Sequence, residues 1–171
     1  VPAGGPNDLL VQAWAWTPSE NVLRLLQGEH LVSLRDLPLT AETVELPAKP
    51  NKEFRGSLDE ARFDAAGHLV VSGWAADVRQ KLPADEVLVL ATMPDGAQYA
   101  ARLAVGLPRP DVAKVLGSPA LAASGFNAML TTEDLPKGFR PREMTIEAWI
   151  LSRNGKPLAP CELAKHKAHP A

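Results

Sequence analysis

Apolar and polar positions alternate with a period of two along much of this chain, the spacing of half-buried β-strands. Residues 97–105 show it most clearly. Tyr99, Ala101, Leu103 and Val105 fall on one face, and Gln98 and Arg102 on the other. Leu69 to Asp77, Leu-Val-Val-Ser-Gly-Trp-Ala-Ala-Asp, is a denser strand-forming run, and the segments flanking it read as its neighbours in an antiparallel sheet. Further strands are predicted over 55–64, 86–93, 126–131 and 144–152. Between them stand turn signals: Ala65-Ala66-Gly67, Pro94-Asp95-Gly96 and Asn154-Gly155. Asp77 to Asp85 reads as a polar loop holding Pro83, and Leu135 to Gly138 as another loop.

Helical signals are confined to one stretch. Asp111, after Pro110, can cap a short helix over 112–116 that Gly117 would stop. Ser118-Pro119 can start a second short turn running to Ala123 and closed by Ser124-Gly125. Gly125 would give a positive-φ exit, after which Phe126 drops into the core. Many short strands with little helix predict a mainly β protein: an antiparallel β-sandwich with one or two short helical inserts, a barrel being second choice.

The flanks read differently. Asp8 to Trp16 is a candidate strand with both faces mostly apolar, and Asn21 to Leu34 reads as strands joined around Gln27-Gly28. Leu37 to Asn51 carries Pro38, Pro47 and Pro50 and reads as an extended connector. The expected organisation is therefore a strand-rich segment and connector over 1–50, a sandwich body over 51–160 and a flexible tail over 161–171. The opening Val-Pro-Ala-Gly-Gly-Pro reads as linker, as in a piece of a longer chain, and no stretch reads as a signal peptide.

Composition narrows the function classes. The 171 residues are 46% hydrophobic and 22% charged, enough for a real core in one domain with a smaller attached unit. A net charge of −2 argues against a nucleic-acid partner. No run of apolar residues is long enough to predict a membrane span. Cys161, His166 and His169 are zinc-type ligands but an incomplete set in a polar tail, so neither metal nor cofactor is expected. Acids abound (Asp59, Glu60, Asp64, Asp77, Asp111), yet no glycosidase pair can be read from them. Ser57, Ser72 and Ser124 lack a nucleophile elbow, and no phosphate-binding glycine loop follows a strand. The chain does not read as an enzyme. Its aromatics suggest binding instead. Thr145, Glu147 and Trp149 share the more polar face of their strand, with Ile146, Ala148 and Ile150 on the apolar one, so Trp149 is a candidate sugar platform. Trp14 and Trp16, two apart, would form an aromatic pair.

Ser72-Gly73-Trp74-Ala75-Ala76-Asp77, then Arg109-Pro110-Asp111-Val112, then Ser124-Gly125-Phe126 form a set, with the Asp95-Gly96 turn between the first two. Over roughly residues 54–158 this set resembles an accessory β-rich domain appended to bacterial cell-envelope glycosyltransferases and polysaccharide-assembly proteins. The resemblance implies a non-catalytic domain of a longer, membrane-associated parent, periplasmic or otherwise extracytoplasmic. It would position a glycan, a lipid-linked sugar or a partner subunit. Physically, Gly73 allows close backbone approach with the Trp74 indole covering the gap, and Asp77 can accept backbone N–H groups after the strand. Arg109 can pair with Asp77 or Asp111 and hold the helical insert to the sheet. In the functional version Trp74, Asp77, Arg109 and Asp111 line a small binding site. Two further readings stand beside it: a carbohydrate-binding module using Trp149, or Trp14 with Trp16, and a structural or oligomerisation domain burying those aromatics at an interface.

Overall fold

The computed structural model describes residues 37–163 together with the backbone of Trp14–Thr17 and Val22–Leu25. The chain divides into two compact units, Val1–Asp36 and Leu37–Ala171. In the first, β1 (Trp14–Thr17) and β2 (Val22–Leu25) pair antiparallel, with Trp14 opposite Leu25 and Trp16 opposite Leu23. The hairpin expected around Gln27-Gly28 and the side chains of Trp14 and Trp16 lie outside the described residues.

The second unit is a β-sandwich. Its strands are β3 (Leu37–Pro38), β4 (Thr40–Ala41), β5 (Phe54–Phe63), β6 (Leu69–Asp77), β7 (Leu82–Pro83), β8 (Glu86–Thr92) and β9 (Gln98–Ala104), followed by β10 (Gly125–Thr131), β11 (Thr145–Leu151), β12 (Pro157–Pro160) and β13 (Glu162–Leu163). One sheet runs β13-β5-β6-β10-β3, with β7 paired to the end of β6; the other runs β12-β11-β8-β9-β4. Pairing is antiparallel except where the short strands β3 and β13 meet β10 and β5. Helix is limited to α1 (Pro110–Val115) and the 3-10 turns Pro119–Ala123 and Pro141–Glu143.

The predicted alternation fills the space between the sheets. Leu58, Leu69, Val71, Phe126 and Leu130 of the first sheet meet Val87, Val89, Tyr99, Ala101, Leu103 and Ile150 of the second. Three hairpin turns repeat one design. In each, a glycine at positive φ (Gly67, Gly96, Gly155) closes a turn whose first residue bonds on to the residue after the glycine. Asp64 tightens the first of these by accepting the N–H groups of Ala66 and His68, each at 2.9 Å. Gly73 sits where β5, β6 and β10 press together. A Cβ there would lie 2.0 Å from the Ser57 carbonyl oxygen and 2.7 Å from Cζ of Phe126. The gap expected to be covered by Trp74 is therefore filled by Phe126, and the half-buried indole lies on the opposite, outer face.

The proline-rich stretch does more than connect. Leu39, fully buried between β3 and β4, anchors it in the core, and its N–H bonds to Thr131. Pro38 is tolerated because β3 is the outermost strand of its sheet. The chain then runs extended over the outer face of the second sheet. The Val44 N–H bonds to the Gln98 side chain at 2.9 Å, and Val44 and Leu46 pack on Leu88, Leu90, Ala100, Trp149 and Leu151. Glu42 anchors this strap through two bonds from Arg102, at 2.6 and 2.9 Å, which hold its carboxyl below the usual carboxylate range.

That strap corrects the reading of Trp149 as an exposed platform. Its strand does place Ala148 and Ile150 in the main core, but Trp149 is only 7% exposed, within a second, smaller core that Val44 and Leu46 cover. A residue's own strand shows which face it takes, and only the rest of the fold shows what covers that face. Of the stretch expected as a tail, the buried Cys161 and strand β13 join the sandwich, β13 pairing with β5, while 164–171 lie outside the described residues.

Removing a buried aromatic leaves a cavity that a sheet cannot close. Trp149→Ala is expected to lower unfolding stability by about 3–5 kcal/mol in urea titrations. A loss below about 1 kcal/mol would place the indole in solvent instead.

Candidate ligand groove on the first sheet

Four strands of the first sheet bring one row of residues together: Glu162 on β13, Ser57 on β5, Trp74 on β6 and Gly125 on β10 are successive cross-strand partners. Residues directly opposite each other share a face, here the outer one. Trp74 lines a groove of 320 Å³ with Arg55, Ser57, Pro160, Glu162 and Leu163.

At the other end of the row, Gly125 makes room for Arg109. A Cβ at Gly125 would lie 2.8 Å from Cγ of Arg109 and 2.8 Å from the Leu107 carbonyl, which itself accepts the Gly125 N–H at 2.9 Å. Gly125 does not take the positive φ expected of a helix exit; the left-handed glycine of this insert is Gly117, at φ 66°. What requires glycine at 125 is close approach of the arginine stem and the Leu107 backbone.

Arg109 is the hub of the insert. Its backbone N–H donates to Ala122 at 2.6 Å and its carbonyl accepts from Val112 and Ala113. Its side chain, 24% exposed, grips Asp111 through two bonds, Nε to Oδ1 at 2.9 Å and Nη2 to Oδ2 at 2.7 Å. Nη1 reaches across the sheet to Oδ2 of Asp59 at 2.7 Å. The other oxygen of Asp59 accepts the Ser57 hydroxyl at 2.6 Å, so one chain of bonds runs from the helical insert into the wall of the groove. Asp111 is thus not the helix cap. Arg109 occupies the cap position, and Asp111 sits in the first turn with its carboxylate turned to the guanidinium.

Asp59 reaches Arg109 because β5 is bulged. The pairing with β6 jumps from Leu58 opposite Gly73 to Glu60 opposite Ser72, leaving Asp59 without a cross-strand partner. Electrostatics follow this geometry. The two bonds from Arg109 hold the Asp111 carboxyl down at about 2, while the two carboxylates raise the arginine. Beneath the sheet, Cys161 packs where a Cβ on Gly56 would come within 2.7 Å of its sulfur. Burial, reinforced by the negative charge of Asp59, pushes its thiol up to about 12. That shift favours the neutral thiol, in keeping with a side chain packed in the main core.

Arg109 and Asp111 therefore belong to one bonded cluster that runs through Asp59 to Ser57, in the wall of the groove that Trp74 also lines. Asp77 and Trp149 do not join them. The Asp77 carboxylate accepts the Gln80 N–H at 2.8 Å, the loop-organising role expected of it, beside a separate 380 Å³ cleft with Phe54, Leu82 and Arg153. Trp149 lies on the other sheet under the strap. No group of His, Cys, Asp or Glu side chains among the described residues could hold a metal ion, and His166 and His169 fall outside them.

Arg55, Ser57 and Asp59 were missed as site residues, although a signal for the bulge exists. Apolar positions along β5 are even-numbered at Phe54 and Leu58 and odd-numbered at Ala61 and Phe63, a phase slip that requires one extra residue between them.

The pH dependence of the Arg109–Asp111 pair has a defined sign. A carboxyl lowered in the folded chain adds stability above its unfolded value of 3.8, and that stability is lost as pH falls toward about 2. Stability of the unaltered protein should fall more steeply between these values than that of Asp111→Asn, measured by denaturant titration at each pH. Equal slopes would mean that Arg109 does not hold Asp111 in solution.

No family model, curated protein or solved structure matches this chain.

Proposed function

We propose that this chain is a non-catalytic accessory β-sandwich that positions a glycan or lipid-linked sugar for a larger bacterial cell-envelope glycosyltransferase-like protein, outside the cytoplasmic membrane. The observation that carries this reading is convergence. The three motif stretches behind the family resemblance lie far apart in sequence, yet they supply Trp74, Arg109 with Asp111, and Gly125 to one outer-face surface. Their polar groups are tied to one another, which fixes shape and leaves no free acid–base pair within the Arg109 cluster. What the surface offers a ligand is an indole beside a hydroxyl and charged side chains, the composition that suits a sugar ring and its hydroxyls. Among the described residues, no helix is long and apolar enough to cross a membrane.

Intrinsic fluorescence tests this, because the chain carries four tryptophans. A panel of bacterial envelope oligosaccharides should give a saturable shift with one sugar class. Trp74→Ala should remove that shift while the cooperative thermal transition is kept, and Trp149→Phe should preserve it. A flat response across the panel, or a shift that survives Trp74→Ala, would contradict the reading. Turnover of an activated sugar by this chain alone would contradict its non-catalytic part.

A further inference from the structure

Within the groove at Trp74, one cation is left over by the fold. Arg62, Arg79, Arg102, Arg109, Arg140 and Arg153 each pair with an acid. Arg55 and Arg142 pair with none among the described residues, and of these two Arg55 is the one that lines the groove, exposed beside the indole. Two positions from Ser57 on β5, it shares the outer face with Ser57 and Trp74. Glu162 stands opposite Ser57 on β13.

We propose that the groove selects an anionic sugar, with the ring against Trp74 and its carboxylate or phosphate on the Arg55 guanidinium. This inference rests on the glycan-positioning reading and specifies its ligand. A planar guanidinium with two parallel N–H groups matches either anion, and arginine is weakly enough hydrated to make the exchange favourable. The indole supplies apolar area for the ring, and the Ser57 oxygen keeps lone pairs for a sugar hydroxyl while its proton is held by Asp59. Glu162 sets polarity. Its carboxylate repels the anion and accepts ring hydroxyls, so the acidic group is directed to the Arg55 side. The Asp59–Arg109–Asp111 chain holds Ser57 from behind, so the groove is formed before the ligand arrives.

Calorimetric titration of the full chain with an oligogalacturonide, a hexose 1-phosphate and a neutral hexose oligomer tests this. The expected result is that an acidic ligand binds at least about tenfold tighter than the neutral one. Arg55→Gln should cost the acidic ligand at least about tenfold more affinity than it costs the neutral oligomer, and added salt should weaken the acidic ligand more than the neutral one. Which acidic ligand responds identifies carboxylate or phosphate as the anion. Equal affinity for acidic and neutral sugars, unchanged in Arg55→Gln, overturns the inference and leaves glycan positioning standing. Absence of binding by all three, with Trp74→Ala indistinguishable from the unaltered protein, overturns both.

Discussion

One guanidinium joins parts of the sandwich that the backbone keeps apart. Arg109 binds Asp111 in the helical insert and Asp59 on β5, and its stem crosses the bare Cα of Gly125 on β10. Each contact depends on a local backbone feature: a bulge that leaves Asp59 unpaired, a glycine that leaves space, and a short helix whose first turn presents Asp111. Removing the arginine would deprive both carboxylates of their shared partner, and the cost would fall mainly on the half-buried Asp59, since Asp111 is exposed to water. The clamp acts with the Leu107–Gly125 backbone bridge and the buried side chains of Val112 and Leu121 to hold that insert to the sheet, where the helix propensity of so short a segment would not.

The two outer faces of the sandwich are managed differently. On the second sheet, Leu88, Leu90 and Trp149 would form an apolar patch in water, and the strap through Val44 and Leu46 covers them. On the first sheet the outer face carries Ser57, Ser72, Trp74 and Asn127, polar enough to remain open around one half-buried indole. A groove therefore forms where chemistry is mixed, and a second small core forms where it is apolar. The same principle explains why, of the two described tryptophan side chains, Trp149 is structural and Trp74 is the more accessible.

The sequence displayed the architecture more plainly than the site. Period-two alternation located β5, β6, β8, β9, β10 and β11 to within a residue or two, and glycine-containing turns located the hairpins. Strands of two residues, such as β3, β4 and β13, leave no periodicity to read, because their partners define them. Motif chemistry was legible only in part. The pairing of Arg109 with Asp111 could be anticipated from proximity in sequence, whereas Asp59, fifty residues earlier, enters through a bulge and a cross-sheet reach. Trp149 was misread because alternation says which residues share a face and nothing about a strap arriving from about a hundred residues upstream.

The account makes the Arg109–Asp59 link the support of both the insert and the groove. A double-mutant cycle on unfolding free energy, with Arg109→Gln, Asp59→Asn and the pair, tests it most directly. The account predicts a coupling of at least about 0.5 kcal/mol, with the double variant less destabilised than the sum of the single ones. Strictly additive effects would show that the two side chains do not interact in solution and that something else holds the insert against the sheet.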